Sequence, residues 1–220
     1  MSDISENIRQ ITKEIPAHVT MVAVSKTHPV EKIREAYQVG QRDFGENKVQ
    51  EMLTKYAQLP KDIRWHLIGH LQTNKVKSII DFVYLIHAVD SIKLLSEIEK
   101  RAQQSSRRVQ ILLQMHIAEE TTKFGLDEDE LDQILAKNDA GEFPHVEIRG
   151  LMGMATFTKD HLQVKKEFEG LNTIYKRLAT KYNWSILSMG MSGDYPLAIA
   201  QGSNLVRVGS AIFGERNYQT

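Results

Sequence analysis

Eight short apolar runs, separated by longer stretches of helical spacing, leave few folds open to this chain of 220 residues. The runs are VTMVAVS (19–25), QRDF (41–44), IRWHLI (63–68), FVYLIHAV (82–89), VQILLQMHI (109–117), VEIRGLMGM (146–154), SILSMGM (185–191) and LVRV (205–208). The second is short and polar and is admitted because its neighbours require a strand there. Between the runs, apolar residues recur at i, i+3 and i+4: Ile33 and Tyr37; Ile92, Leu95 and Ile98; and, across 159–181, Leu162, Phe168, Leu171, Ile174, Tyr175 and Leu178. Such segments predict helices that bury one stripe. Strand-sized runs alternating with helices mark βαβ units and a parallel sheet. A polar helix opens the chain and closes near Pro16. The stretch 138–144 has only the length of a loop, and no linker rich in Pro, Ser or Gly divides the series.

The expected fold is therefore α/β, a single (β/α)8 TIM barrel with an extra N-terminal helix, with residues 1–220 forming one domain. The competing doubly wound sheet would be favoured by a glycine-rich turn after the first strand. The segment Val24-Ser25-Lys26-Thr27-His28-Pro29 has no glycine.

Composition removes several function classes. Lys and Arg number 28, equal to Asp and Glu, and the basic pairs are interleaved with acids, so no phosphate-backbone footprint is present and no nucleic-acid partner is expected. The absence of cysteine excludes disulfides, thiolate nucleophiles and Cys-ligated metals. The first residues lack the basic and apolar regions of a secretion signal, and no run approaches the roughly 18 apolar residues of a membrane span. A cytoplasmic protein with no membrane partner is expected.

In a barrel, residues just past the strands face one mouth. They include Lys26, Glu46, Asn47, His66 to His70, Asp90, Ser192-Gly193-Asp194 and Gly209-Ser210. A lysine closing an apolar strand either snorkels into water, the commoner outcome, or is desolvated into a nucleophilic amine able to form a Schiff base. The Ser-Gly and Gly-Ser turns after strands seven and eight occupy the ordinals where barrels most often hold phosphate. Arg207 shares a strand face with Leu205 and Gly209, so it points inward and requires a partner: either an acid, with Glu46 and Asp194 as candidates, or a ligand atom to which it donates. An imine-forming lysine, a phosphate cradle and an inward arginine together answer the aldehyde, phosphate and ring nitrogen of pyridoxal phosphate.

Other features carry less. His66 and His70 lie around Gly69 on a β-type run, which argues against a shared zinc; His66 is expected to pack in the barrel and hydrogen-bond a neighbour. Asp43-Phe44-Gly45 lacks the companion motifs of a kinase. Met152, Met154, Met189 and Met191 read as core filling that could also wall a planar ring.

Taken together, AVSKT (23–27), FGENKVQE (44–51), WHLIGHLQ (65–72) with Asn74-Lys75, LSMGMS (187–192) with Asp194, and VRVGSAIFG (206–214) resemble the pyridoxal phosphate homeostasis protein family along nearly the whole chain. The resemblance implies a barrel similar to the N-terminal domain of alanine racemase that binds pyridoxal 5′-phosphate without established catalysis. It implies that Lys26 is the Schiff-base lysine, that Asn47 lies near the ring, that Ser192, Gly209 and Ser210 bind the phosphate, and that Arg207 faces the pyridine nitrogen. Lys123, in the segment 119–125, is implied only as a loop lysine of interest. The expected partners are the cofactor and recipient apo-enzymes, and a monomer is expected. The rival reading is a racemase or Schiff-base lyase; a racemase of this type would need a second domain, for which the chain is expected to have no room.

Overall fold

A computed structural model describes residues 3–120 and 124–215. Eight parallel strands close into a barrel in chain order, β8 returning to β1: β1 (Thr20–Val24), β2 (Asp43–Glu46), β3 (Arg64–Leu67), β4 (Leu85–Val89), β5 (Val109–Gln114), β6 (Val146–Met152), β7 (Ile186–Met191) and β8 (Leu205–Val208). Helix α1 (Asp3–Glu14) precedes the barrel. Around it lie α2 (Val30–Gln38), α3 (Val49–Gln58), α4 (Ile92–Gln104), α5 (Glu128–Asp139), α6 (His161–Tyr182), α7 (Tyr195–Ala200) and α8 (Ser210–Phe213). The expected barrel and its N-terminal helix are both present. Between β3 and β4 the outer layer is a 3₁₀ helix, Thr73–Ser78, in place of an α-helix.

The second strand begins two residues later than the run at 41–44 suggests. The Gln41 side chain donates to the main-chain carbonyls of Met21 (2.9 Å) and Asp43 (2.6 Å), which ties it to the strand ends as a loop residue. The ladder then starts at Asp43, paired with Arg64 on β3.

Alternation along the strands sorts the apolar side chains into two layers. Outward residues such as Phe44, Trp65, Ile111, Leu187 and Val206 join Ile33, Met52, Leu95, Ile134 and Phe168 of the helices in one continuous core. Inward, Val22, Leu85, Ala88, Leu112, Met152 and Leu205 form a smaller core inside the barrel. Each large side chain fully buried contributes about 1.5–3 kcal/mol, so the outer layer dominates stability. Local chemistry sets the helix ends. Ser91 accepts from the Leu94 N–H, Asp127 and Glu130 form a reciprocal capping box, and Asp160 accepts from the N–H groups of Leu162 and Gln163. Asn183 closes α6 in the left-handed conformation at φ 53°.

The N-terminal mouth of the barrel carries a charged cluster. Asp43 accepts from Arg64 Nε at 2.6 Å and from its terminal nitrogen, and it lies 3.0 Å from His66 Nε2. Burial alone would lift the Asp43 carboxyl, but the hydrogen bonds from Arg64 and His66 outweigh it and hold it at about 2, against an ordinary value of 3.8. A depressed carboxyl stabilises the fold above its unfolded value, and that contribution fades as pH falls through the folded one. Denaturant unfolding should therefore show a loss of about 2 kcal/mol between a pH of about 4 and about 2. Asp43→Asn, less stable at neutral pH, should lack that acid-side component; an unchanged slope in the variant would remove Asp43 as its source.

Candidate functional site

A cavity of about 510 Å³ opens at the C-terminal mouth of the barrel. Lys26, Asn47, Ser192, Arg207, Gly209 and Ser210 all line it. Six positions spread over more than 180 residues of chain thus converge because each lies within or just past a strand of the same closed sheet. Ligand cavities of about 300–1,000 Å³ are typical for small molecules.

Two of these residues owe their placement to close backbone approach. A Cβ on Gly69 would stand 2.8 Å from the Asn47 carbonyl oxygen, so only glycine lets the β3 loop seat beside Asn47. At the end of β8, the N–H of Gly209 and that of Ala211 converge on Ser192 Oγ at 3.0 and 3.4 Å. The two turns after β7 and β8, singled out separately in the sequence, are therefore one hydrogen-bonded cluster in which Ser192 Oγ accepts from both N–H groups.

Arg207 points into the barrel as alternation requires, but its expected acidic partners are not its hydrogen-bond acceptors. It donates to Ser188 Oγ at 2.5 Å and to the Gly153 carbonyl at 3.0 Å. Glu46, placed at the mouth by sequence, turns to the opposite face of the sheet. Its Oε1 accepts from Ser25 Oγ (2.6 Å) and from Lys55 Nζ of α3 (2.8 Å). On β2, Phe44 packs outward, and Glu46, two residues on, must follow it. Burial pushes the Glu46 carboxyl up to about 7 against the pull of Lys55 and Ser25. Asp194 instead accepts from the Met191 N–H at 2.5 Å, and its charge only moderates the effect of burial on Arg207, which comes down to about 10 and remains cationic at neutral pH.

Behind Arg207 runs a buried polar column that the sequence did not disclose beyond His66. Ser188 Oγ lies 3.2 Å from His87 Nδ1, His87 Nε2 lies 2.9 Å from His66 Nδ1, and His66 Nε2 reaches Asp43. Burial lowers the pKa of both histidines, that of His87 by more. With both rings neutral, one proton arrangement satisfies every member: Arg207 donates to Ser188, Ser188 to His87, His87 to His66, and His66 to Asp43. The column thus spans the barrel from the Asp43 carboxylate to the floor of the cavity. His87 and Ser188 lie mid-strand within apolar runs, and only their hydrogen-bonding side chains hinted at such a role.

The rim is more apolar. Phe124, 58% exposed, stacks on His70 at 4.5 Å, and His70 Nδ1 lies 2.9 Å from Asp90, which brings two mouth residues of the sequence together. Gln114 donates to the Phe124 carbonyl at 2.7 Å. Met154 and Met191 line the cavity, whereas Met152 and Met189 are buried in the two cores as core filling. Lys123 lies outside the described residues. Among the described residues no group of His, Asp and Glu could hold a metal, and no helix is long and apolar enough to cross a membrane.

Comparisons with known proteins agree with this geometry. The family described as alanine racemase, N-terminal domain, matches residues 1–217. The pyridoxal phosphate homeostasis protein of Aquifex aeolicus is 39% identical, with 90% of this chain and 87% of that one covered. That of Vibrio alginolyticus is 37% identical over 99% and 100%. Among solved structures, PipY of Synechococcus elongatus with PLP bound superposes with a TM-score of 0.87 at 36% identity, covering 96% of this chain and all of that one. Alanine racemase from Bartonella henselae, 19% identical, shares the fold with a TM-score of 0.77 and extends well beyond it, 60% of that chain being covered.

The proton arrangement of the column is open to direct measurement. In protein labelled with ¹⁵N at histidine, both His66 and His87 should be neutral at a pH of about 7, each carrying its proton on Nε2. Ser188→Ala should leave His66 unchanged and alter the His87 Nδ1 shift. A cationic His87 at that pH, or the Nδ1–H form, would contradict the column as drawn.

Proposed function

This chain belongs to the pyridoxal phosphate homeostasis protein family, and from that membership we propose that it holds pyridoxal 5′-phosphate on Lys26 and buffers or delivers it in the cytoplasm. The observation that carries this reading is the convergence of Lys26, Arg207 and the Ser192–Gly209–Ser210 donors on one cavity. The chemistry of that donor set fits the cofactor. A primary amine answers the aldehyde, a buried guanidinium answers the ring nitrogen, and the Ser192 hydroxyl, held by the Gly209 and Ala211 N–H groups, answers the phosphate. Val24, Ile68 and Met154 supply apolar walls for a planar ring, and Asn47 stands beside them.

When bound, the cofactor supplies an aldehyde that condenses with a primary amine and releases water. Lys26, which lines the cavity, would furnish that amine and so hold the cofactor reversibly. Arg207 can donate and never accept, so a ring nitrogen facing it is kept as an acceptor without a proton. A carboxylate there would do the reverse and strengthen the ring as an electron sink. The Ser188 hydroxyl, itself committed to His87, holds the guanidinium in place. The arrangement favours holding and releasing the cofactor over rapid chemistry on an amino acid. We accordingly read residues 1–220 as one binding domain, acting as a monomer that hands cofactor to apo-enzymes without turnover of its own.

Incubation with the cofactor followed by borohydride reduction should leave a covalent mass adduct on the peptide containing Lys26, and Lys26→Ala should show none. A wild-type protein that forms no adduct in excess cofactor would sink the proposal. Loaded protein should activate an apo-enzyme, whereas measurable turnover of amino acids at ordinary enzyme rates, about 1–1,000 per second, would replace the carrier reading with an enzymatic one. Arg207→Gln should weaken cofactor binding by about tenfold or more, as expected for loss of a charged hydrogen bond of roughly 1.5–3 kcal/mol; unchanged affinity in a folded variant would exclude Arg207 from the site.

A further inference from the structure

Lys26 sits in a tight turn whose backbone is held from behind the sheet. The His28 N–H donates to the Ser25 carbonyl at 3.1 Å, so Lys26 and Thr27 are the two central residues of the turn. Thr27 has φ 68°, the left-handed conformation that this turn position ordinarily reserves for glycine or asparagine and that a β-branched residue adopts only under constraint. The constraint is visible in α3. Glu51 Oε1 accepts from the Thr27 N–H at 2.5 Å. Lys55, one helical turn on and with 5% of its side chain exposed, donates to the Ser25 carbonyl (2.8 Å), to Glu51 (2.6 Å) and to Glu46 (2.8 Å), while Glu46 also receives the Ser25 hydroxyl. Both residues flanking Lys26 are therefore gripped by one ion cluster on the far side of the strand from the cavity, with Lys55 and Glu46 buried and Glu51 partly exposed.

We propose that Glu51 and Lys55, with Glu46, are positioning residues that hold the Ser25–His28 turn in its strained form and thereby aim Lys26 into the cavity. Without the Glu51 acceptor, Thr27 gains by returning to negative φ, which rotates the peptide between 26 and 27 and swings Lys26 with it. The pattern is fixed by spacing: Glu51 and Lys55 are four apart on one helix face, and Glu46 ends the strand leading into that helix. The inference rests on Lys26 as the cofactor lysine, and the test separates the two.

Affinity for pyridoxal 5′-phosphate is measured by fluorescence titration, with the borohydride adduct and a thermal midpoint recorded for each variant. Glu51→Ala should weaken binding about tenfold, the scale of the strain stored by a left-handed β-branched residue. Glu51→Gln, which keeps an acceptor oxygen, should stay within about twofold of wild type. The decisive variant is Thr27→Gly in the Glu51→Ala background. Glycine adopts the turn unaided, so affinity should return towards wild type although nothing is added to α3. A Glu51 that served only to stabilise the helix would not be rescued in this way. Wild-type affinity in folded Glu51→Ala, or no recovery on adding Thr27→Gly, would overturn the proposal while the wild-type adduct on Lys26 stands. Failure of wild type to form that adduct would overturn the cofactor reading and this inference with it.

Discussion

A guanidinium enclosed by a barrel cannot be left without acceptors, and much of the interior of this protein is organised around that requirement. Arg207 is buried on β8 and, among the described residues, donates to a hydroxyl and a carbonyl. The charge that acts on it is that of Asp194, while Ser188, His87 and His66 connect it through neutral groups to Asp43, itself paired with Arg64 at the other end of the barrel. A carboxylate beside Arg207 would neutralise it locally and compete for its donors. Neutral groups instead satisfy part of the fork, which leaves a cation oriented at the cavity floor, and each neutral member is polarised in the same direction by the next. The same column explains why polar side chains interrupt the inner core of Val22, Leu85, Leu112 and Met152 without leaving that interior unsatisfied.

The site consequently has two supports on different sides of the sheet. Inside the barrel, the column determines how Arg207 is presented. Outside it, in the layer between strands and helices, the cluster of Lys55, Glu46 and Glu51 grips the turn bearing Lys26. Buried ion pairs contribute little net stability because desolvation offsets their attraction. Lys55 and Glu46, with an unpaired Glu46 Oε2 among the described residues, are costly groups to keep in a hydrophobic layer. Geometry at the strand end gives them a purpose that stability does not.

Much of the architecture was legible in the chain. The eight runs marked the strands, and the residues following them collected Lys26, Asn47, Ser192, Gly209 and Ser210 on one mouth because a closed parallel barrel admits no other arrangement of its carboxyl ends. What misled was the short polar second run. Its four residues contained too little apolar pattern to set its start, which depended on how Gln41 and Asp43 meet the neighbouring strands. An offset of two leaves the alternation unchanged, but so short and polar a run does not say which of its faces is outward, and the direction of Glu46 follows only once the outward side of Phe44 is known.

The sequence by itself determined the layering, the number of strands, the mouth residues and the inward direction of Arg207, because these follow from a periodicity of two along strands and of 3.6 along helices. Only the tertiary structure decided the partners. Periodicity states that neighbours alternate, but it cannot say which residues from strands far apart in the chain arrive at the same height inside the barrel. That height is set by the register of each strand pair around the closed sheet, and it is this register that brings His66, His87, Ser188 and Arg207 within hydrogen-bond reach of one another.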